Sequence, residues 1–164
     1  MKIGVMSDSH DRMTMIRSAV AVFKDHGVEY IIHAGDFISP ITFNYMKDID
    51  VPFIGVFGNN DGEKAFLRRR NKNIGELHER CFKGKIDGLK FVVLHENDLV
   101  DSLAKSGDYD VVVYGHTHEI DVRKVGKTLV VNPGEVCGWC SGKHTVAVLD
   151  TKTMDVEIID IAKI

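Results

Sequence analysis

Two histidines one residue apart, His116 and His118 in the stretch Tyr114-Gly115-His116-Thr117-His118-Glu119, stand where an apolar run ends. Residues i and i+2 of an extended chain point to the same side, so the two imidazoles can share a target. A metal ion is one such target and a pair of surface histidines in a turn is the plain alternative; the spacing alone does not choose between them. Polar residues elsewhere repeat the pattern. Asp8 and His10 follow the apolar run 2–6, Asp36 follows 30–32, Asn59, Asn60 and Asp61 follow 53–57, and His95 follows 91–94, as His116 and His118 follow 111–114. Taken singly each is an ordinary turn; five runs ending alike are not. In open α/β sheets the loops beyond the carboxyl ends of strands converge, so such residues are delivered to one place. Gly35, Gly58 and Gly115 stand among them and permit the close backbone approach that a chain turning around an ion requires.

Asp, His and Asn without Cys form a mixed hard and borderline ligand set, which suits Mn first, and Ni, Fe, Zn or Co also, better than a structural zinc. There are more ligands here than one ion needs. Two ions sharing a carboxylate use them economically, at the separation of about 3.5–4 Å employed in phosphoryl hydrolysis. On this reading His116 and His118 serve different ions of one pair.

The elements that must position these residues change character along the chain. Runs at 2–6, 29–32 and 51–57 suit buried strands, and Ile16, Ala19, Val20 and Phe23 recur at helical spacing between the first two. A helix is expected through Phe43 and Met46, another over 63–70, with a break at 71–75; Arg68, Arg69 and Arg70 then form a solvated helix face. The second half is strand after strand. Asp87-Gly88 between 82–86 and 89–94, and Gly126-Lys127 between 122–125 and 128–131, are two-residue hairpin signals, and 145–149 and 156–161 form a final hairpin. No repeat, low-complexity tract or proline-rich linker divides the chain, so one domain over 1–164 is expected, with two packed sheets and helices on their outer faces.

Composition narrows the partners. A hydrophobic content of 44% with 27% charged residues is that of a globular protein rather than a disordered one. A net charge of −3, without basic stripes interleaved with aromatics, disfavours nucleic acid and gives no field for a membrane surface. The start MKIGVMSDSH turns polar too early for a secretory core, and no run reaches bilayer length, so a cytoplasmic location is expected. An odd count of three cysteines argues against a disulfide framework, and the single pair Cys137-x-x-Cys140 is weak ground for zinc or redox chemistry. Trp139 could line a pocket or a subunit contact, a homo-oligomer being compatible with the sequence, although a packed loop aromatic is the commoner outcome.

The residues resemble the calcineurin-like metallophosphoesterases. The family order D-x-H, G-D, G-N-H-D/E, H-G and G-H-x-H appears as Asp8-Ser9-His10, Gly35-Asp36, Gly58-Asn59-Asn60-Asp61, His95-Glu96 and Gly115-His116-Thr117-His118. Asn132-Pro133-Gly134 is similar to the smaller prokaryotic phosphodiesterase branch, which also contains the scaffold subunit of eukaryotic retromer. The resemblance implies a four-layer α/β/β/α sandwich of two mixed β-sheets flanked by helices. It further implies that Asp8, His10, Asp36 and His118 hold one divalent ion and Asp36, Asn59, His95 and His116 the other, with Asp36 as the bridge. His26, His33, His78 and His144 match no ligand position and read as structural or exposed. Two departures stand out. Asn60 replaces the histidine that assists the leaving group, and Glu96 replaces a glycine, where it could narrow the mouth, repel anions or offer another ligand.

The expected activity is hydrolysis of a small phosphodiester by a hydroxide bridging two ions. Two divalent ions carry four positive charges, Asp8, Asp36 and the hydroxide offset three, and the remainder suits a diester monoanion. Asp36 and Asn60 are the residues expected nearest the chemistry. The alternative is a non-catalytic protein-interaction scaffold of the same fold. Damaged ligand positions would mark it; every ligand position is present, and Asn60 is its best support.

Overall fold

In the computed structural model, which describes residues 1–163 and leaves Ile164 of the expected domain outside the described residues, the apolar runs become strands of two sheets. The first half gives β1 (Lys2–Met6), α1 (Met13–Asp25), β2 (Tyr30–His33), β3 (Phe53–Val56), α2 (Lys64–Asn71) and β4 (Glu76–His78). The second gives β5 (Cys81–Ile86), β6 (Leu89–Leu94), α3 (Val100–Ser106), β7 (Val111–Val113), β8 (Ile120–Val125), β9 (Thr128–Pro133), β10 (Thr145–Asp150) and β11 (Asp155–Asp160).

One sheet has the order β11-β10-β1-β2-β3-β4, with β1 to β4 parallel and the last hairpin antiparallel beside β1. The other has the order β5-β6-β7-β9-β8, in which β6, β7 and β9 are parallel and the edge strands antiparallel. Both sheets are therefore mixed. Strands buried on both faces read as near-continuous apolar runs, as β3 and β7 do; β9 is buried along its whole length too, with its polar Thr128 and Asn132 hydrogen-bonded to backbone carbonyls. The inner faces meet through Ile3, Val5, Ile54 and Val56 on one side and Phe91, Val93, Val113 and Val131 on the other. Outside the first sheet, Ile16, Ala19 and Phe23 of α1 pack with Met6 and Ile31, and outside the second, Val100 and Ala104 of α3 pack on Val92, Val112 and Val130. The result is the four-layer sandwich, helices, sheet, sheet, helix.

Local signals explain most boundaries. Asp87 and Gly88 both take left-handed backbone, φ 51° and 81°, as a tight two-residue hairpin turn demands. The helix expected through Phe43 and Met46 is instead a short 3-10 helix, Pro40–Asn44, followed by turns. Phe43 and Met46 are nonetheless buried, so their spacing reported burial and not helix length. β4, three residues long, is too short to display a period.

Candidate metal centre

The carboxyl ends of β1, β2, β3, β6 and β7 meet at one rim, and the side chains of Asp8, His10, Asp36, Asn59, His95, His116 and His118 gather there. Asp36 is central: its Oδ2 is 3.4 Å from His10 Nε2 and 3.4 Å from His95 Nε2. To one side, Asp8 Oδ1 lies 3.4 Å from His118 Nε2 and 3.9 Å from His10 Nε2, and the His10 and His118 rings are 5.3 Å apart. To the other, Asn59 Oδ1 is 3.0 Å from His95 Nε2 and 3.0 Å from His116 Nδ1.

The backbone is bent to achieve this. Asp8, His10, Asp36, His116 and His118 all have left-handed φ, between 39° and 67°, a conformation that His and Asp tolerate better than β-branched residues but that still carries strain. Asp61, unassigned from the sequence beyond its place in the motif, braces these turns. Its buried carboxylate accepts from the backbone N–H groups of Asp36 (3.0 Å), Ile38 (2.8 Å) and Gly58 (2.8 Å), although burial pushes its pKa up. Two glycines are needed for space. A Cβ on Gly58 would overlap Asp36 Oδ1, and one on Gly35, where φ is 102°, would overlap the His95 ring.

Partners behind the ring fix which nitrogen faces inward. His95 Nδ1 is 2.7 Å from the Ala34 carbonyl, and His118 Nδ1 is 2.6 Å from Glu135 Oε2, so in each the Nδ1–H donates outward and the Nε2 lone pair points to the carboxylates. In that tautomer the His95 Nε2 and Asn59 Oδ1 lone pairs face each other, the arrangement of a cation site. Asp8 Oδ1 and His10 Nε2 are buried without hydrogen-bond partners, whereas Asp8 Oδ2 is held by Ser7 Oγ (2.5 Å) and the His116 N–H (3.1 Å). The donor set thus fits divalent ions: oriented lone pairs of O and N, buried at Asp8, Asp36 and His95 and open to solvent at Asn59 and His116, with two of them otherwise unpaired.

The electrostatics agree. The Asp8 carboxylate, opposed by burial and helped by Asp36, raises the His10 pKa. Burial alone works against a charged His95, but Asp36 and Asp8 outweigh it and raise its pKa. Burial would raise Asp36, yet His95 and two bonds from Asn60 hold it far below the ordinary carboxylate range. The ring is a place where positive charge is stabilised.

Asn60 donates to Asp36 twice, backbone N to Oδ1 at 2.9 Å and Nδ2 to Oδ2 at 2.7 Å, with its side chain at the solvent edge. Glu96 is exposed and lines a cleft beside His95. Of the remaining histidines, His33 is buried against Phe37, His26 and His144 bond backbone carbonyls, and His78 sits beside Glu76. Trp139 is not packed away: it is 63% exposed, with the Arg12 guanidinium over its ring at 4.7 Å. Glu135 carries no mark in the sequence motifs. It follows β9 and the Asn132-Pro133-Gly134 turn, a sixth apolar run ending in a polar residue at the same rim. Cys137 of the C-x-x-C pair lies with His10 and His118 in a close group, but burial pushes its thiol pKa well up, and the thiol donates to Glu135 Oε2 at 2.9 Å.

Comparison with known proteins identifies the family and similar chains. Residues 1–154 match the Calcineurin-like phosphoesterase superfamily domain. The chain is 42% identical over 156 residues to phosphodiesterase MJ0936 of Methanocaldococcus jannaschii, covering 93% of this chain and 94% of that one. It is 30% identical over 172 residues to a probable metallophosphoesterase of Methanothermobacter thermautotrophicus, covering 97% and 92%. A solved structure described as a novel archaeal phosphodiesterase superposes with a TM-score of 0.93 at 39% identity, covering 98% of this chain and 99% of that one.

Proposed function

The chain belongs to the calcineurin-like phosphoesterase superfamily, and from that premise we propose that it is a divalent-metal-dependent phosphodiesterase whose rim holds two ions bridged by Asp36. The observation that carries the reading is the position of Asp36 Oδ2, 3.4 Å from a histidine of each flanking cluster. Asp8, His10 and His118 complete one ligand set; Asn59, His95 and His116 complete the other. Held there, divalent ions, Mn being the first choice for this donor set, would supply activation of water at neutral pH and neutralisation of charge on phosphorus.

The chain's own residues supply orientation. Ala34 and Glu135 lock the inward nitrogens of His95 and His118, and Asp61 fixes the turns that carry Asp36 and Gly58. Asn60 offers amide protons at the solvent edge, where they can bind a phosphoryl oxygen but cannot be transferred. Glu135 adds a third carboxylate to the two of Asp8 and Asp36, which lowers the positive charge left for substrate and favours a diester monoanion over a monoester dianion.

The test is hydrolysis of matched mono- and diesters by protein stripped of metal and reloaded separately with Mn, Ni, Zn and Mg. Diester cleavage that is lost on stripping and returns on reloading is expected. Undiminished cleavage after exhaustive chelation would refute the reading.

A further inference from the structure

Beside the ring, the loop after β3, the outer faces of β5 and β6, and α3 with the residue before it enclose a cleft of about 580 Å³. That volume is typical of a small-molecule site. Asn59 and His95 line it, so it opens onto the ring from their side and not from the side of Asp8 and His118. The fold accounts for the cleft. α3 packs over β7 and β9 and reaches Val92 of β6, which leaves the outer face of the β5 edge less covered.

The walls are Phe57, Val92, Leu94, Leu99 and Leu103, and Leu99 is 55% exposed. The charges at the margin cancel. Among the lining residues Lys64, Arg80 and Lys83 stand against Glu79, Glu96 and Asp98, and Glu79 is already paired with Lys64 at 3.0 Å and with Arg68, behind the lining, at 2.6 Å. The acidic members Glu96 and Asp98 follow His95 in the chain, so negative charge guards the end next to the ring.

We infer that this cleft binds one ester substituent of the substrate and selects an uncharged apolar or aryl group over a group bearing a further phosphate or carboxylate. The inference rests on the phosphodiesterase reading of the ring, because it needs a phosphorus centre held beside Asn59 and His95. An apolar floor rewards burial of a ring, and a margin of no net charge, acidic near the ring, gives nothing to a second anion. Asn60 is consistent with it, since a site without a proton donor at that position is served by substituents that leave as stable aryl oxides.

The test uses the Mn-reconstituted protein and the monoanionic monomethyl esters of methyl-, phenyl- and 4-carboxyphenylphosphonate, with Kd read by calorimetry. The phenylphosphonate ester should bind about ten-fold more tightly than the methylphosphonate ester, and the added carboxylate should remove most of that gain. Leu99→Asp should erase the phenyl preference, read as the ratio of the phenyl and methyl Kd values, and leave metal content unchanged. Leu99 is exposed and precedes α3, whose packed residues Val100 and Ala104 are untouched by the substitution, so the helix is retained. Equal affinities for methyl and phenyl, tighter binding of the carboxylated ring, or an intact preference in Leu99→Asp would each overturn the assignment. If diesters are still hydrolysed in those cases, only the cleft assignment falls. If no phosphonate binds and no diester is cleaved, the reading of the ring falls and takes the cleft with it.

Discussion

Glu135 Oε2 lies 2.6 Å from His118 Nδ1, while the Nε2 of the same ring faces Asp8 Oδ1 at 3.4 Å. The carboxylate is fully buried and does not float: Cys137 Sγ, the backbone N–H groups of Trp139, Cys140 and Ser141, and the Ser141 hydroxyl all donate to it. Burial would raise its pKa, but these donors and His118 hold it at about 2, so it is ionised at any working pH. An anion fixed behind a ligand histidine sets the tautomer and makes the inward nitrogen a better donor.

Glu135→Gln should therefore weaken metal binding at the His118 position by roughly 10- to 100-fold, the usual effect of losing such a partner. Metal titration by calorimetry reads this directly. The site built on Asn59, His95 and His116 should keep its affinity, and a uniform loss at both sites would show that Glu135 supports the fold and not His118 in particular.

A different test concerns His33. Its Nδ1 accepts from the Gly35 N–H at 3.2 Å, so Nε2 carries the proton and donates to Ser9 Oγ at 3.0 Å. Full burial pushes its pKa down to about 3 from an ordinary 6.5, so the unfolded chain takes up a proton that the folded one refuses. The stabilisation is present above pH 6.5 and is lost as pH falls from there toward 3, approaching about 1.4 kcal/mol per pH unit. His10 and His95, whose pKa values are raised, change stability above 6.5 and add no slope below it. Denaturant unfolding of chelated protein between pH 6.5 and 5 should show this slope in the parent and not in His33→Gln.

The bridging position gives a third outcome. If Asp36 serves both ions and Asn59 one, Asp36→Asn should lower bound metal at both sites and reduce diester hydrolysis by more than Asn59→Ala does. Metal counts per chain and kcat, measured together, decide it. Equal losses in the two variants would remove Asp36 from the bridge.

The sandwich was legible because burial on both faces forces continuous apolar runs, and the ring because each run ends in a residue with lone pairs. Val111–Val113 and the His116 and His118 that follow show both signals within a few positions. Glu135 obeyed the same rule but stood behind a turn-forming Pro-Gly pair and reached no family ligand position, so nothing marked a carboxylate whose task is to hold another side chain. The cleft was invisible for another reason. It depends on where α3 stops covering the second sheet, a matter of packing between elements far apart in the chain, and nothing in the sequence around Leu99 and Leu103 marks them. The helix expected through Phe43 and Met46 failed because a 3-10 turn after Pro40 can bury the same two side chains.

Asn60 poses the last question. Its Nδ2 donates to Asp36 Oδ2 at 2.7 Å and its side chain reaches the solvent edge of the ring, where relatives of the family pattern carry a histidine. An amide binds oxygen but does not deliver a proton, so a leaving alkoxide must take its proton from water, whereas an aryl oxide leaves without one. Asn60→His places an imidazole beside the ionised Asp36, and a neighbouring carboxylate raises a histidine pKa, which keeps the ring protonated near neutral pH. Positioned acid catalysis contributes about 10²- to 10⁴-fold in favourable cases, and the gain belongs to the poorer leaving group. The ratio of kcat/KM for an alkyl diester to that for a matched aryl diester should therefore rise in the variant by at least about ten-fold, with the absolute aryl rate little changed. Metal content must be measured alongside, because loss of the Asn60 bonds to Asp36 could itself disturb the bridge. A ratio that stays constant with both metals bound would place residue 60 away from the leaving oxygen, and its amide would then serve to orient Asp36 alone.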